Sequence, residues 1–325
     1  MALEPERILG RTGLSVSALG LGTAEIGYVY GIGPRDVPDE AAAIELLHRS
    51  VELGITFIDT AHFYGSAEER IGKSGIGRRT GVVISTKCGH ALDRGEDLTE
   101  AELGSSFERE VDESLLKLKL DVIPLLQVHG GTAERISDGS IIRAVQKLKD
   151  SGKIEWAGIS TRGEEAPLAA IETGFFDTVQ LAYSILDQRM AARVFAAAKA
   201  RNIGIINRSV LLKGALTPAS QYLAPQLADL KRNSEKAAEI AQEIETDVPS
   251  LAIRFALSQD AIDTVLIGSN KIKNIERAVA AAEAGPLPAN VIERLHTLAI
   301  GDEKQVDPKY WPSNAVADSA DRKKM

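Results

Sequence analysis

A closed (β/α)8 barrel, the TIM-barrel class, is the fold this sequence predicts, on three observations. Short apolar runs, mostly continuous rather than alternating, recur along the chain, as parallel strands covered on both faces require. A helix, glycine, strand unit repeats at LGITFID, SGKIEWAGIS, TGFFDTVQLAYS and RNIGIINRS. Candidate strand ends fall near residues 22, 59, 87, 129, 160, 181, 207 and 267, mostly at steps that fit one βα unit of about 30 residues or somewhat more. Such a barrel carries its active-site groups at the carboxyl ends of the strands. An open doubly wound sheet would need G-x-G-x-x-G after the first strand; Gly20-Leu21-Gly22 lacks the third glycine and a helix directly after it.

Strand segments are expected at 82–85, 124–128, 154–159, 178–181, 203–206 and 264–267. A helix over 39–53 starts on Asp39 as N-cap, presents Ile44, Leu47 and Val51 on one face, and stops before Gly54. From Thr99 a capping box with Glu102 opens a helix whose buried stripe is Leu103, Phe107, Val111, Leu115 and Leu118. Gly54, Gly152, Gly174 and Gly204 each end one helix and admit the next strand.

Composition fits one domain spanning residues 1–325, ordinary for a barrel with extra loops. A formal net charge of −8 argues against a nucleic-acid surface. No stretch is apolar for the roughly 18 residues of a membrane span, and the start lacks a basic-then-apolar signal pattern. Cys88 is the single cysteine, which excludes an intramolecular disulfide. The expected compartment is the cytoplasm.

Four polar groups stand at or just past strand ends: Asp59 in GITFIDT, Tyr64 five residues on, Lys87 in VVISTK and His129 in LLQVH. An acid, a phenol, an amine and an imidazole brought together can move a proton at neutral pH. Taken singly, each also has a structural reading: Asp59 as a helix cap, Lys87 with Asp59 as an ion pair, Tyr64 as a rim aromatic. His62 and His90 lie beside these positions, and Cys88 reads as a packing residue. No metal site is expected.

MALEPERILGRTGLSVSALGLGT resembles the N-terminal hairpin and first strand of the aldo-keto reductase superfamily, and FIDTAHFYGSAEERIGK is similar to its Asp…Tyr segment. VVISTKCG, LLQVH, GKIEWAGIST, DTVQLAYSILDQR and VLIGS continue the likeness over nearly the whole chain. The resemblance implies an N-terminal β-hairpin, extra helices and loops at the barrel ends, and an NAD(P)-dependent oxidoreductase acting on a carbonyl or alcohol. Its catalytic tetrad carries over as Asp59, Tyr64, Lys87 and His129. Lys87, held as a cation by Asp59, is then expected to lower the Tyr64 pKa, while His129 binds the carbonyl oxygen or relays the proton.

Cofactor contacts implied in the same way are Gly22, Thr23 and Asp59 near the first two strand ends, and Ser160, Thr161 and Gln180 toward the carboxamide. Thr161 replaces a frequent asparagine. Arg208 stands where many relatives place an aromatic ring, followed by Ser209 and Leu211 at the pyrophosphate loop; Arg208 in a salt bridge is the structural alternative. Gly268, Ser269, Asn270 and Asn274 align with the adenosine end. Neutral side chains at 269, 270 and 274 depart from NADP-specific relatives, with Lys271, Lys273 or Arg277 as substitutes and the helix N-terminus favouring an anion. The expectation is NADP, with NAD a close second.

Loops after the first and seventh strands and the tail from about 301 to 325 are expected to shape the pocket, with Tyr28, Tyr30, Tyr222, Tyr310 and Trp311 as its aromatic surface. The polar end, 318–325, reads as disordered. The substrate is a small carbonyl compound or a sugar, since ISTKCGH is similar to sugar-lactol dehydrogenases. Two further readings stay open: a Schiff-base lyase using Lys87, and a low-turnover redox-sensing subunit.

Overall fold

The computed structural model describes residues 6–312, so the end 318–325 lies outside the described residues. Two short antiparallel strands, β1 (Arg7–Ile8) and β2 (Ser15–Val16), form the N-terminal hairpin. Eight parallel strands follow: β3 (Leu19–Gly22), β4 (Phe57–Asp59), β5 (Val83–Cys88), β6 (Ile123–His129), β7 (Ile154–Ser160), β8 (Thr178–Ala182), β9 (Gly204–Arg208) and β10 (Thr264–Gly268). They close in chain order, β10 returning to β3 with Gly268 opposite Gly22. The fold is the expected (β/α)8 barrel. Helices outside the regular repeat include Ala228–Glu243 after β9 and Ala289–His296 after the last barrel helix.

Strand side chains alternate between barrel interior and helix layer. Along β4, β5 and β6 the inward series runs from Phe57, Val83 and Leu125 to Asp59, Ser85 and Gln127, and then to Lys87 and His129. The intervening Ile58, Ile84, Leu126 and Val128 pack outward in the helix-covered core. Apolar residues on both faces are why these strands read as continuous runs.

The hairpin plugs the opposite end. Leu9 and Val16 are fully buried against Phe57, Val83, Leu125, Ile206 and Leu266, each contributing about 1.5–3 kcal/mol. Arg11 fastens the plug by donating to the Asp177 carboxylate at 3.0 Å and to the carbonyls of Gly174, Phe175 and Phe176. Gly204 has a different role from the one expected: Asn202 (φ 51) makes the left-handed turn, and Gly204 starts β9. A Cβ on Gly204 would sit 2.9 Å from Leu9, so the hairpin's approach requires glycine there.

Asp39 caps the helix Glu40–Glu52 through the Ala42 amide, as expected. Its buried face is Ala43, Leu46, Leu47 and Ser50; Ile44 and Val51 lie half-buried at the margin. The small Ala43 and Ser50 let the helix settle close to the barrel, which turns the larger Ile44 and Val51 away from the centre of the contact. The Thr99–Glu102 capping box is present in both directions, and Leu103, Phe107, Val111 and Leu118 are buried. Leu115 is only partly buried.

Candidate active site

Barrel register brings chain-distant residues to one level. Asp59 pairs with Ser85, Lys87 with Gln127, His129 with Ser160, and Ser160 with Gln180. Lys87 Nζ donates to Asp59 Oδ2 at 2.6 Å and to the Thr60 carbonyl at 2.8 Å, and both side chains of the pair are buried. Tyr64 sits in the turn after β4, with Lys87 Nζ 5.1 Å from its ring centroid. The Tyr64 and His129 rings stand edge to face, 6.2 Å apart. Gly27 admits this turn, since a Cβ there would lie 1.9 Å from the Tyr64 carbonyl oxygen.

Two amides complete the environment of Asp59. Gln127 Nε2 donates to Asp59 Oδ1 at 3.0 Å and to Ser85 Oγ at 2.7 Å, and Gln180 Nε2 donates to the same Oδ1 at 2.7 Å. The carboxylate thus accepts two amide bonds on one oxygen and the ammonium on the other. Gln127 was missed in the sequence, although it precedes His129 by two and so shares its inward phase. Gln127→Met should lower kcat about tenfold, because a hydrogen bond to a charged group is worth roughly 1.5–3 kcal/mol. Dinucleotide affinity should barely change; wild-type kcat with only a lower Tm would make Gln127 a packing residue.

Burial sets the electrostatics. The Tyr64 phenol is pushed above its ordinary value by burial and then by the Asp59 charge, with Arg208 opposing. This differs from the expected lowering: the Lys87 charge is directed at Asp59, and desolvation dominates. Lys87 itself is lowered by burial, against which Asp59 acts. His129 is pushed down to about 3, chiefly by burial. Its imidazole is therefore neutral in the physiological range.

A cavity of about 900 Å³ runs from Tyr64 and His129 to the start of the helix Ile272–Glu283. Of the cofactor positions expected from sequence, Gly22, Asp59, Ser160, Gln180, Arg208, Ser209, Leu211, Gly268, Ser269 and Asn274 line it. Thr23, Thr161 and Asn270 are not among the lining residues. Thr23 donates its hydroxyl to the Asp59 carbonyl, joining β3 to β4. Thr161 is buried behind Arg208, whose guanidinium donates to the Thr161 carbonyl at 2.9 Å. Asn270 donates to the Asp36 carbonyl. Thr23 and Asn270 thus spend their side chains on backbone carbonyls, whereas Thr161 offers its own carbonyl to Arg208.

Arg208 has no carboxylate partner among the described residues; its second bond goes to Ser209 Oγ at 3.2 Å. The loop beyond it bends through left-handed Ser209 (φ 62), Leu212 (φ 44) and Lys213 (φ 57). Backbone bonds close this turn, the Leu212 amide donating to the Ser209 carbonyl at 2.8 Å and the Gly214 amide to the Leu211 carbonyl at 3.0 Å. Lys271 and Arg277 line the far end, while Lys273 does not. A long cavity with a cationic middle and glycines at β3 and β10 fits a dinucleotide.

The mouth differs from the expected aromatic surface. Tyr28 and Tyr30 line it, joined by Phe63 and by His90, which stacks on Phe63 at 3.5 Å. Trp311 is buried with its indole N–H on the Gln305 carbonyl, Tyr310 is exposed, and Tyr222 covers Gly33. Pro308 and Lys309 supply the C-terminal wall. His62 is bonded to Glu113 at 2.8 Å, away from the cavity. Cys88 is buried, and its thiol is raised by burial, as suits a packing residue.

A buried acid and amine beside a phenol and a neutral imidazole, at the carboxyl mouth of this barrel, stand where barrel enzymes carry their chemistry. The family model described as Aldo/keto reductase family matches residues 18–300, and the chain belongs to that family. Aldo-keto reductases use NAD(P)(H) and act on small-molecule carbonyl compounds. The chain is 28% identical over 306 residues to the uncharacterized oxidoreductase YqkF of Bacillus subtilis, covering 90% of this chain and 95% of that protein. It is 30% identical over 292 residues to the L-galactose dehydrogenase of Arabidopsis thaliana, covering 85% and 87%. The aldo-keto reductase AKR11C1 from Bacillus halodurans in its holo form superposes with a TM-score of 0.73 at 27% identity, covering 94% of this chain and 98% of that one. Among the described residues no helix is long and apolar enough to cross a membrane.

Proposed function

We propose that the chain is an NADPH-preferring carbonyl reductase in which Tyr64 is the proton donor, Lys87 and Asp59 its buried support, and His129 the group that orients the carbonyl. The observation that carries this reading is the Lys87–Asp59 pair at 2.6 Å beneath Tyr64, with His129 across the same cavity. A bound nicotinamide supplies the hydride. Tyr64 donates its phenolic proton to the carbonyl oxygen, Lys87 steadies the phenolate left behind, and neutral His129 holds the oxygen by a hydrogen bond. A phenol raised by burial stays protonated at neutral pH, the form that reduction uses. Titration with NADPH and NADH followed by a panel of aldehydes, ketones and sugars tests the reading, and binding of neither dinucleotide would overturn it.

The preference for NADP rests on Lys271 and Arg277 at the cavity end, beside neutral Ser269 and Asn274. The double variant Lys271→Ala, Arg277→Ala should weaken NADPH about tenfold or more and leave NADH nearly unchanged. Equal loss for both would move the adenosine end elsewhere, and NAD would take first place. Asn274→Arg should favour NADPH on the same logic.

A second reading, sugar-lactol dehydrogenase, is favoured by the ring wall of Tyr28, Tyr30 and Phe63 facing Asp93 and Arg162, and a relative is named L-galactose dehydrogenase. Stacking surface with paired polar groups suits a polyol. The lyase reading loses ground because Lys87 is buried with Nζ bonded to Asp59 and Thr60.

A further inference from the structure

Two loops and the C-terminal segment are tied together beside His129 by ion pairs that the tetrad does not use. Arg162, just past β7, donates to both oxygens of Asp93 at 2.9 and 3.2 Å and reaches Asp307 at 3.0 Å. Asp93 lies at the end of the short helix His90–Asp93, and both Asp93 and Arg162 face the cavity. Their side chains keep 15% and 33% of their surface exposed, so the pair is accessible from the cavity. Ligand atoms of His90, Asp93 and His129 all lie within 4.8 Å of one another. A metal ion suits this cluster poorly, because the Arg162 guanidinium already occupies both Asp93 oxygens and its charge repels a cation.

A neutral hydroxyl suits it well. Each carboxylate oxygen accepts more than one hydrogen bond, so Asp93 retains capacity beyond Arg162. Burial would disfavour its charge, but Arg162 prevails and holds the carboxyl well below the usual range, which keeps Asp93 an acceptor. A carbonyl oxygen on His129 would leave an oxygen on the next carbon within reach of Asp93, because ligand atoms of the two side chains lie within 4.8 Å of each other. Two hydrogen bonds and the gap between oxygens on adjacent carbons together span more than the 4.8 Å available, so both contacts form without stretching. Phe63, stacked on His90, offers a ring face to the carbon skeleton.

We propose that Asp93 with Arg162 forms a substrate subsite reading a hydroxyl on the carbon next to the reacting carbonyl, which makes α-hydroxy aldehydes and ketones, sugars included, the substrate class. The proposal rests on the reading of Tyr64 and His129 as the reacting end. The three-loop tie explains why this subsite has a fixed position: Asp93, Arg162 and Asp307 come from separate segments, and each ion pair restrains the other.

The test compares glyceraldehyde with 3-hydroxypropanal, which lacks only the neighbouring hydroxyl, on the full chain with saturating NADPH or NADH. Wild-type kcat/KM should favour glyceraldehyde about tenfold or more. Asp93→Ala and Asp93→Asn should bring that ratio toward one, whatever happens to the absolute rates. The wild-type comparison needs no variant and so stands even if a substitution disturbs the loops. Equal use of the two aldehydes by wild type, or a ratio kept in both variants, would overturn the subsite. Dinucleotide binding with turnover of deoxygenated carbonyls alone would overturn it while leaving the reductase reading intact; absence of dinucleotide binding would remove both.

Discussion

Tyr64→Phe is expected to lower kcat by about 10²-fold or more while dinucleotide affinity stays nearly unchanged. The substitution deletes one oxygen and keeps the ring that packs near Tyr28 and His129, with centroids at 5.8 and 6.2 Å. Steric consequences are therefore small, and the loss reports the proton. The pH dependence has a definite sign. Because burial and the Asp59 charge hold the phenol above its ordinary value, it stays protonated throughout the neutral range. Reduction, which uses the protonated phenol, should lose no rate to Tyr64 ionisation there. Oxidation uses the phenolate, so its rate should rise with pH toward the raised pKa, and this rise should vanish in Tyr64→Phe. Paired pH profiles in the two directions make the measurement; wild-type turnover in the variant would reject Tyr64 as the acid.

Lys87→Met is expected to damage both rate and stability, the first by about 10²-fold and the second by about 3–5 kcal/mol. The ammonium is the partner of a buried carboxylate that also receives Gln127 and Gln180. Removing it leaves Asp59 charged and uncompensated. Adding Asp59→Asn should restore much of the stability without restoring the rate. In wild type, Lys87 is lowered by burial, so the reductive rate should fall as rising pH removes its proton below the usual lysine range. That alkaline limb should be absent in Lys87→Met. An unmoved profile with a normal Tm would deny Lys87 its role.

Local chemistry was legible wherever neighbours in sequence are neighbours in space. Thr99 and Glu102 lie three apart and form the capping box, and Asp39 reaches Ala42. Strand ends were placed to within a residue, because polar residues punctuate apolar runs where each strand leaves the covered layer. What misled were judgements that depend on how closely surfaces approach. The buried face of Glu40–Glu52 uses Ala43 and Ser50, Gly204 answers to Leu9 from the hairpin, and Trp311 anchors the C-terminal segment from within. Asp93 and Arg162 stand 69 positions apart and left no pattern at all.

The amino-acid order by itself determined the eight strands, their polar ends and the residue types able to move a proton, since periodicity and composition act over a few residues at a time. Only the closed barrel decided which of those residues share a cavity. Closure placed Gln180 of β8 against Asp59 of β4, turned Thr23 and Asn270 toward backbone carbonyls, and packed enough of the barrel around Tyr64 that burial raises the phenol. Desolvation is a property of the whole enclosure, and no local stretch of chain carries it.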